Sequence, residues 1–331
     1  MTTVEPIIDA EVVAQLEPYR RELTGYCYRM LGSTFEAEDA VQETMVKAWK
    51  AFASFEGRSS LRAWLYRIAT NVCLDHLNGR QRRARPMELG PAQEPVFANL
   101  GAPRSPETWV EPIPDARVLP LEGDPSDLVI ARETIRLAFV TAIQHLPPQQ
   151  RAVLILREVL RMSAKEVAAL LDTSVPAVNS ALQRARATLD TVDVDDDVRP
   201  ATTDASDAEL LTRYVDAFER YDIDALVSLI HEDATMSMPP FALWLTGPEH
   251  IARWFVGPGA DCAGSRLVPV DVNGGRGFAQ YRPSGPGGAH RPWALQVIDV
   301  RDGQIAGFHA FLDTARWFPL FGLPEDPSTL D

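Results

Sequence analysis

Between residues 11 and 85 apolar positions recur at helical spacing with few breakers. The pattern is sharpest from Asp39 to Phe52, where Val41, Met45, Ala48 and Phe52 fall on one side and Asp39, Gln42, Glu43, Lys47 and Lys50 project elsewhere. That spacing predicts an amphipathic helix. A glycine loop at Gly57 follows, and Ser59 or Ser60 is suited to cap a helix carrying Trp64, Tyr66, Arg67 and Asn71. From Arg85 to about Ser126 the periodicity collapses under Pro86, Pro91, Pro95, Pro103, Pro106, Pro112, Pro114, Pro120 and Pro125. Such a stretch cannot hold a helix or a central strand, so it reads as a linker or an extended arm.

Helical patterning returns from Asp127 to about Leu189. Val167, Ala168, Leu170 and Leu171 form a stripe opposite Lys165 and Glu166. Asp172 to Ser174 then supplies a turn, with Ser174 placed to cap the next helix and Pro176 within that helix's first turn. Small residues at Ala177, Ser180, Ala181 and Ala185 keep the second helix slim, and Arg184 and Arg186 sit near its end. A short helix, a tight turn and a slim second helix make the layout of a helix-turn-helix, whose second helix enters the DNA major groove. The plainer alternative is an ordinary helical hairpin.

An acidic stretch, which includes Asp193, Asp195, Asp196 and Asp197, reads as a second linker, and from Ala208 the character changes to α+β. Glu209 to Arg220 and Asp224 to Leu229 are helical in pattern. Thr235 to Met238, Arg266 to Asp271, Gly277 to Tyr281, Trp293 to Arg301 and Ile305 to Asp313 are strand-like. Asp302-Gly303 between the last two is a hairpin signal. The expected boundaries are 11–85, a linker at 86–126, 127–190, a linker at 191–207, and 208–331.

A length of 331 residues fits two or three domains. No apolar run approaches a membrane span, and Met1 to Ala10 is acidic rather than basic, unlike a secretory leader. Cys27, Cys73 and Cys262 lie far apart and show no metal-ligand spacing, which suits reduced thiols in a cytoplasmic protein with no metal and no cofactor. The net charge of −14 argues against DNA binding only if it is spread evenly. It is not: Arg58, Arg62, Arg67, Arg80, Arg82, Arg83 and Arg85 stand among few acids.

Aromatic, arginine and amide side chains together on the helix after Gly57 suit opened DNA, through stacking, phosphate pairing and base-edge hydrogen bonds. A core role for Trp64 and Ile68 is the bland alternative. The strings Glu38-Asp39-Ala40-Val41-Gln42-Glu43 and Arg62-Ala63-Trp64-Leu65-Tyr66-Arg67-Ile68-Ala69-Thr70-Asn71 resemble region 2 of the sigma-70 family, specifically its extracytoplasmic-function group. Leu146-Pro147-Pro148-Gln149-Gln150-Arg151-Ala152-Val153-Leu154 resembles that family's entry into region 4. The resemblance covers roughly residues 11–190. It implies a transcription initiation factor that binds bacterial core RNA polymerase, through the β′ coiled coil and the β subunit, and directs it to promoter DNA. By position it assigns polymerase docking to Asp39, Gln42, Glu43, Lys47 and Trp49, and −10 contacts to Arg58, Ser59, Arg62, Arg67 and Asn71. It assigns the −35 element to Ser174, Ala177, Val178, Asn179, Ala181, Leu182, Arg184 and Arg186. The proline-rich arm would thread toward the RNA exit channel, its acids mimicking nucleic acid. Many members carry arginines early in the recognition helix where this chain has Asn179 and Ala181, which can contact adenine and a thymine methyl respectively, so a different −35 sequence is expected. Arg184 and Arg186 suit phosphates, which position the helix without specifying sequence.

Leu210 to Asp222, Leu226 to Ala234 and Gly247 to Phe255 resemble the SnoaL-like group of the nuclear transport factor 2 superfamily. That resemblance implies an α+β cone with a curved sheet and an apolar cavity, fused as a regulator. The expected fold is therefore multidomain: two all-α sigma domains, a region 2 bundle and a region 4 helix-turn-helix, followed by the cone. Trp244, Trp254, Trp293, His309 and Phe311 are candidates to line a cavity for a small apolar ligand, although core packing explains them equally well. Cyclases of this fold use a cavity Asp or His, for which His231, Asp233, His309 and Asp313 are the candidates here, yet their placement fits capping and structural roles better than catalysis. A ligand-sensing helix-turn-helix regulator and a cyclase-like enzyme with a DNA-binding appendage are the rival readings. The helix from Trp64 to Asn71 argues against the first, because a duplex reader needs no melting helix.

Overall fold

The computed structural model describes residues 10–122, 124–191 and 205–330, so residues 192–204 of the acidic linker expected at 191–207 lie outside the described residues, and 205–207 already belong to a helix. The chain divides into two compact units. The first draws its described residues from 10–82, 117–135 and 142–191, and the second from 83–116, 136–141 and 205–330.

In the first unit, α1 (Ala10–Leu16), α2 (Arg20–Leu31), α3 (Thr34–Ala51) and α4 (Leu61–Leu77) form the N-terminal bundle. Local chemistry sets the breaks. Gly32 closes α2 with a left-handed φ of 67°, Ser33 caps α3 by accepting from Glu36 N, and Ser60, not Ser59, caps α4 by accepting from Ala63 N. Ala37, Ala40, Val41, Thr44, Met45 and Ala48 turn the apolar stripe of α3 inward. Tyr26 and Tyr66 meet edge-on at 5.2 Å, and the Tyr26 hydroxyl bonds to Thr70 Oγ1 at 2.7 Å. Tyr66 is fully buried, so the core claims it rather than the surface.

Further along lie α5 (Asp115–Val118), α6 (Pro125–Glu133), α7 (Leu137–Gln144) and α8 (Pro148–Leu154), the last widening into a π-turn over Ile155–Val159. The helix-turn-helix follows as α9 (Ala164–Leu170) and α10 (Val175–Leu189). Ser163 and Glu166 close a reciprocal capping box on α9, and Ser174 caps α10 by accepting from Ala177 N. Within this unit α8 packs on α2 and α4, α9 on α4, and α10 on α8. Arg151 of α8 is buried and spends its guanidinium on carbonyls: Ile143 (2.9 Å), Gln144 (2.9 Å), Leu146 (3.1 Å) and, across to α2, Met30. Burial pulls its pKa down to about 10, still protonated at neutral pH.

The second unit carries α11 (Ala205–Glu219), α12 (Ile223–Val227), α13 (Gly247–Val256) and α14 (Thr314–Leu320) around a six-stranded sheet. Its strands are β1 (Ile230–Ser237), β2 (Trp244–Thr246), β3 (Arg266–Val272), β4 (Gly275–Arg282), β5 (Arg291–Arg301) and β6 (Gln304–Phe311), in the order β2-β1-β6-β5-β4-β3. All neighbours are antiparallel except β1 and β6. Asp302 (φ 52°) and Gly303 (φ 73°) make the tight β5–β6 turn with both residues left-handed, as a two-residue hairpin of this twist requires. Tyr214 and Phe218 of α11 pack against one face, where the Tyr214 ring meets Phe278 and Phe308 at 5.5 and 5.8 Å.

Two segments differ from the sequence pattern. His231-Glu232-Asp233 lies on β1 rather than in a turn, because β1 begins at Ile230 beside Ile305 and is irregular up to Thr235. The proline-rich segment is not a free arm. Over residues 83–116 it is strapped to the second unit by backbone and side-chain bonds: Gln93 N to Trp244 O (3.0 Å), Trp244 Nε1 to Gly90 O (2.8 Å), Arg104 N to Pro240 O (2.8 Å), and Ile113 with Asn273 in both directions (3.0 and 3.1 Å). Some of its acids take part, while Glu107 stays exposed. Glu88 caps a short turn at Arg85 N, and buried Glu111 pairs with Arg316 at 2.7 Å. The segment does hold one short helix, α5, just after Pro114, where a helix can begin; elsewhere its prolines remove donors and leave the carbonyls to accept, which suits a strap.

Candidate functional site

On α3, Asp39, Gln42 and Lys47 are exposed, while Glu43 and Trp49 are half-buried. Asp39, Glu43 and Lys47 follow one another at i, i+4 spacing, and Glu43 pairs with Lys47 (2.7 Å) and His76 (3.3 Å). The Lys47 hydrogen bond, more than His76, holds the Glu43 carboxyl below its ordinary range. The face is charged, self-paired and open.

The loop before α4 presents Arg58 and Ser59, both exposed, with Arg58 paired to Glu56 at 2.7 Å. Trp64 tucks beneath this loop against Phe55 and Phe52, at 4.9 and 6.4 Å, and so props it rather than offering a stacking platform. Arg62 is engaged within the unit: Nε donates to both Glu22 oxygens (2.9 and 3.2 Å), and the guanidinium lies 5.0 Å from the Tyr66 ring. Arg67 and Asn71, one turn apart, are exposed with no side-chain partner among the described residues. They are the side chains of this helix best placed to meet an external ligand.

On α10, Ser174, Ala177, Asn179, Arg184 and Arg186 are exposed and Ala181 is half-buried. Val178 and Leu182, expected on the reading face, instead point into the helix-turn-helix core at 0% and 7% exposure. The 3.6-residue period forces this, because Val178, Leu182 and Ala185 form the stripe that holds α10 to its neighbours. Arg186 donates to Glu158 Oε1 at 2.7 Å, whereas Arg184 projects outward.

In the second unit a cavity of about 320 Å³ opens between α11, α13 and the sheet. Trp254 and Trp293 line it as expected, but Trp244 and Phe311 do not. Trp244 is spent on the strap at Gly90, and Phe311 packs on Trp317 of α14 at 5.8 Å. His309 belongs to the cavity wall, yet its ring is turned away. Phe308 faces α11, so its neighbour must face the other side of the sheet. There His309 Nε2 lies 2.9 Å from Asp299 Oδ2, and Nδ1 lies 2.9 Å from Ser237 Oγ. A carboxylate only accepts, so the neutral ring donates from Nε2 and accepts the Ser237 hydroxyl at Nδ1. Burial alone would raise the Asp299 carboxyl, but the His309 hydrogen bond and the charges of Arg136 and Arg85 outweigh it and hold it low. A depressed carboxyl stabilises the fold above its unfolded value of about 3.9 and loses that contribution as pH falls through the lower folded value. Asp299→Asn should therefore flatten the decline in thermal stability of the second unit below about pH 4, measured as melting temperature against pH. An unchanged acid limb would show that the interaction is not coupled to folding.

Asp233 and Asp313 are absent from the cavity wall, and His231 bonds to Arg301 Nη2 at 2.9 Å. Residues that pattern reading passed over line it instead. Phe97 and Leu100 come from the strap, and Gln280, Arg282 and Gln296 come from β4 and β5. The two glutamines carried a signal, since each is a polar residue inside an otherwise apolar strand run.

The first unit thus combines a four-helix bundle with a helix-turn-helix, and the second carries a cone with a curved sheet. Matches to known proteins agree. The sigma-70 region 2 profile matches residues 16–83, a sigma-70 region 4 profile 136–189 and the SnoaL-like domain profile 211–308. The ECF RNA polymerase sigma factor SigG of Mycobacterium tuberculosis is 46% identical over 316 residues, 94% of this chain and 84% of that protein. SigJ of the same organism is 28% identical over 309 residues, 88% and 89% of the two chains. The crystal structure of SigJ superposes with a TM-score of 0.59 at 25% identity, over 94% of this chain and all of that one. The chain belongs to the ECF RNA polymerase sigma factors, within which it carries a C-terminal SnoaL-like domain. The multidomain fold expected from sequence, helical regions followed by a cone with a curved sheet, is borne out.

Proposed function

We propose that this chain docks on core RNA polymerase through the α3 face (Asp39, Gln42, Glu43, Lys47, Trp49), with the β′ coiled coil as the partner of that face and the β subunit as the partner of region 4. In this reading Arg58, Ser59, Arg67 and Asn71 contact the −10 element, and Arg62 joins them only after leaving Glu22. Ser174, Ala177, Asn179 and Arg184 meet the −35 element, with Ala181 and Arg186 at its margin, while Val178 and Leu182 support the helix from behind. The protein performs no covalent chemistry and acts in the cytoplasm, where the polymerase works. The cone serves as a regulator whose cavity accepts a small ligand. Its candidate acid–base residue, His309, being committed to Asp299 and Ser237 on the other sheet face, speaks against a cyclase role.

The observation that carries this reading is the pair Arg67 and Asn71, exposed and without a side-chain partner among the described residues, on a capped, well-supported helix one turn apart. The test is co-elution of the full-length chain with bacterial core polymerase on a sizing column, which needs no knowledge of the promoter. Co-elution is expected, together with its loss on charge reversal by Asp39→Arg plus Lys47→Glu, two exposed substitutions that spare the core. Absence of co-elution would overturn the reading. Co-elution that survives the reversal would remove the α3 face from it.

A further inference from the structure

The cavity of the second unit has two unlike ends. Most of its wall is apolar and aromatic, with Phe218, Met236, Trp254 and Phe255 among its members. The opposite end is built from donors. Arg282 lies flat on Trp293, its guanidinium carbon 3.7 Å from the ring centroid, with only a fifth of its side chain exposed. The nearest carboxylate, Asp261, stands 4.0 Å away with 81% of its side chain in solvent, so it screens that charge weakly. Beside it runs a buried amide chain: Tyr214 OH donates to Gln296 Oε1 (2.6 Å), Gln296 Nε2 to Gln280 Oε1 (2.8 Å), and Gln280 Nε2 to Ser265 Oγ (3.0 Å). The last two links each use one N–H of an amide that has two, and the Cys262 sulfur lies within hydrogen-bond reach of Gln280 and Arg282, so the second N–H of Gln296 is the amide donor left over. The Cys262 thiol, pushed up by burial, stays neutral and supplies no anion.

A stacked guanidinium keeps its in-plane N–H edge for a planar, two-oxygen partner, which is the geometry of a carboxylate. About 320 Å³ corresponds to the liquid volume of roughly ten waters, within the range of ordinary small-molecule sites. We infer that this cavity is a binding site for a hydrophobic organic anion, an aromatic or alicyclic carboxylate whose body fills the apolar end and whose head pairs with Arg282. Its closing wall is the strap. Phe97 is 66% exposed yet leans on Trp254 at 6.3 Å, and Leu100 packs on the same core. An occupant therefore touches the segment that joins region 2 to region 4, and it tightens the hold on that segment.

The experiment is calorimetric titration of the full-length chain with 2-naphthoate and with its neutral isostere 2-naphthamide. The acid is expected to saturate at one per chain and to bind at least tenfold more tightly than the amide. In Arg282→Gln that preference should vanish while amide binding persists. Hydrogen exchange at residues 97–100 should slow when the acid is present. Equal binding of acid and amide, no saturation by either, or an acid preference that survives Arg282→Gln would each overturn the inference. Should that variant fail to fold, the acid-to-amide ratio in the unaltered chain decides alone. The outcome does not depend on polymerase binding, so it stands or falls separately from the proposed promoter role.

Discussion

Replacing Arg151 with methionine is expected to cost the helical unit about 3 kcal/mol. The substitution keeps the length of the side chain and removes every donor from a site that is 3% exposed. It strands the carbonyls of Gln144, Leu146 and Met30, and the Gln144 side-chain oxygen that Arg151 also serves at 2.6 Å, while the Ile143 carbonyl keeps its bond from Leu146 N at 3.1 Å. Each buried acceptor left without a donor costs about 1–3 kcal/mol. Part of that loss is recovered because a buried cation no longer has to be desolvated, the same penalty that pulls the Arg151 pKa down to about 10. Arg151→Lys should fall between, since an ammonium offers three donors in place of five. Hydrogen exchange of residues 142–156 in the full chain is the direct readout. Unchanged protection in the methionine variant would mean that water replaces the guanidinium at little cost.

The second large effect is on promoter opening. Asn71→Ala should reduce open-complex formation by about tenfold or more, because a well-made base contact contributes about 1–3 kcal/mol. Arg67→Ala should weaken binding more evenly across sequences and lower the salt slope by about one, the signature of a lost phosphate contact. Both side chains are exposed and without a side-chain partner among the described residues, so folding should be untouched. Permanganate footprinting on a promoter, run beside a core-polymerase binding assay, separates the steps. If Asn71→Ala abolishes polymerase binding itself, its assignment to the −10 element is wrong.

Much of the fold is written locally. Ser174 before Val175-Pro176 specifies where α10 begins, and Asp302-Gly303 specifies a two-residue turn, because in both cases the determining atoms lie within three residues of one another. The same holds for the stripe of α3. What a local pattern cannot supply is a partner distant in sequence. Nine prolines leave 86–124 only short turns and the four-residue α5, but nothing in them says that Gly90 and Gln93 bond to Trp244, some 150 residues away. Short β2 and proline-containing α14 escape for a related reason, since tertiary contacts, not periodicity, hold them. Among the site residues, a helical period separates Val178 and Leu182 from Asn179 once the core stripe is counted. For His309, strand alternation names the opposite face from Phe308, but only the folded sheet says which face holds the cavity. Arg282 was legible only as one more arginine until Trp293 was placed beneath it.

The packing of α9 and α8 on α4 has a geometric consequence. Promoter elements centred about 25 base pairs apart are separated by about 85 Å of B-form DNA, at 3.4 Å per step. A helix as long as α4 spans only about 25 Å. On the proposed assignment, the two readers touch each other here and cannot occupy both elements at once. Engaging a promoter then requires the bundle and the helix-turn-helix to part, and their mutual affinity is subtracted from their affinity for DNA. Were the parted form one molecule in a hundred, the apparent dissociation constant would rise about a hundredfold. The strength of that internal contact would set how much promoter DNA the chain can engage before any outside signal reaches it.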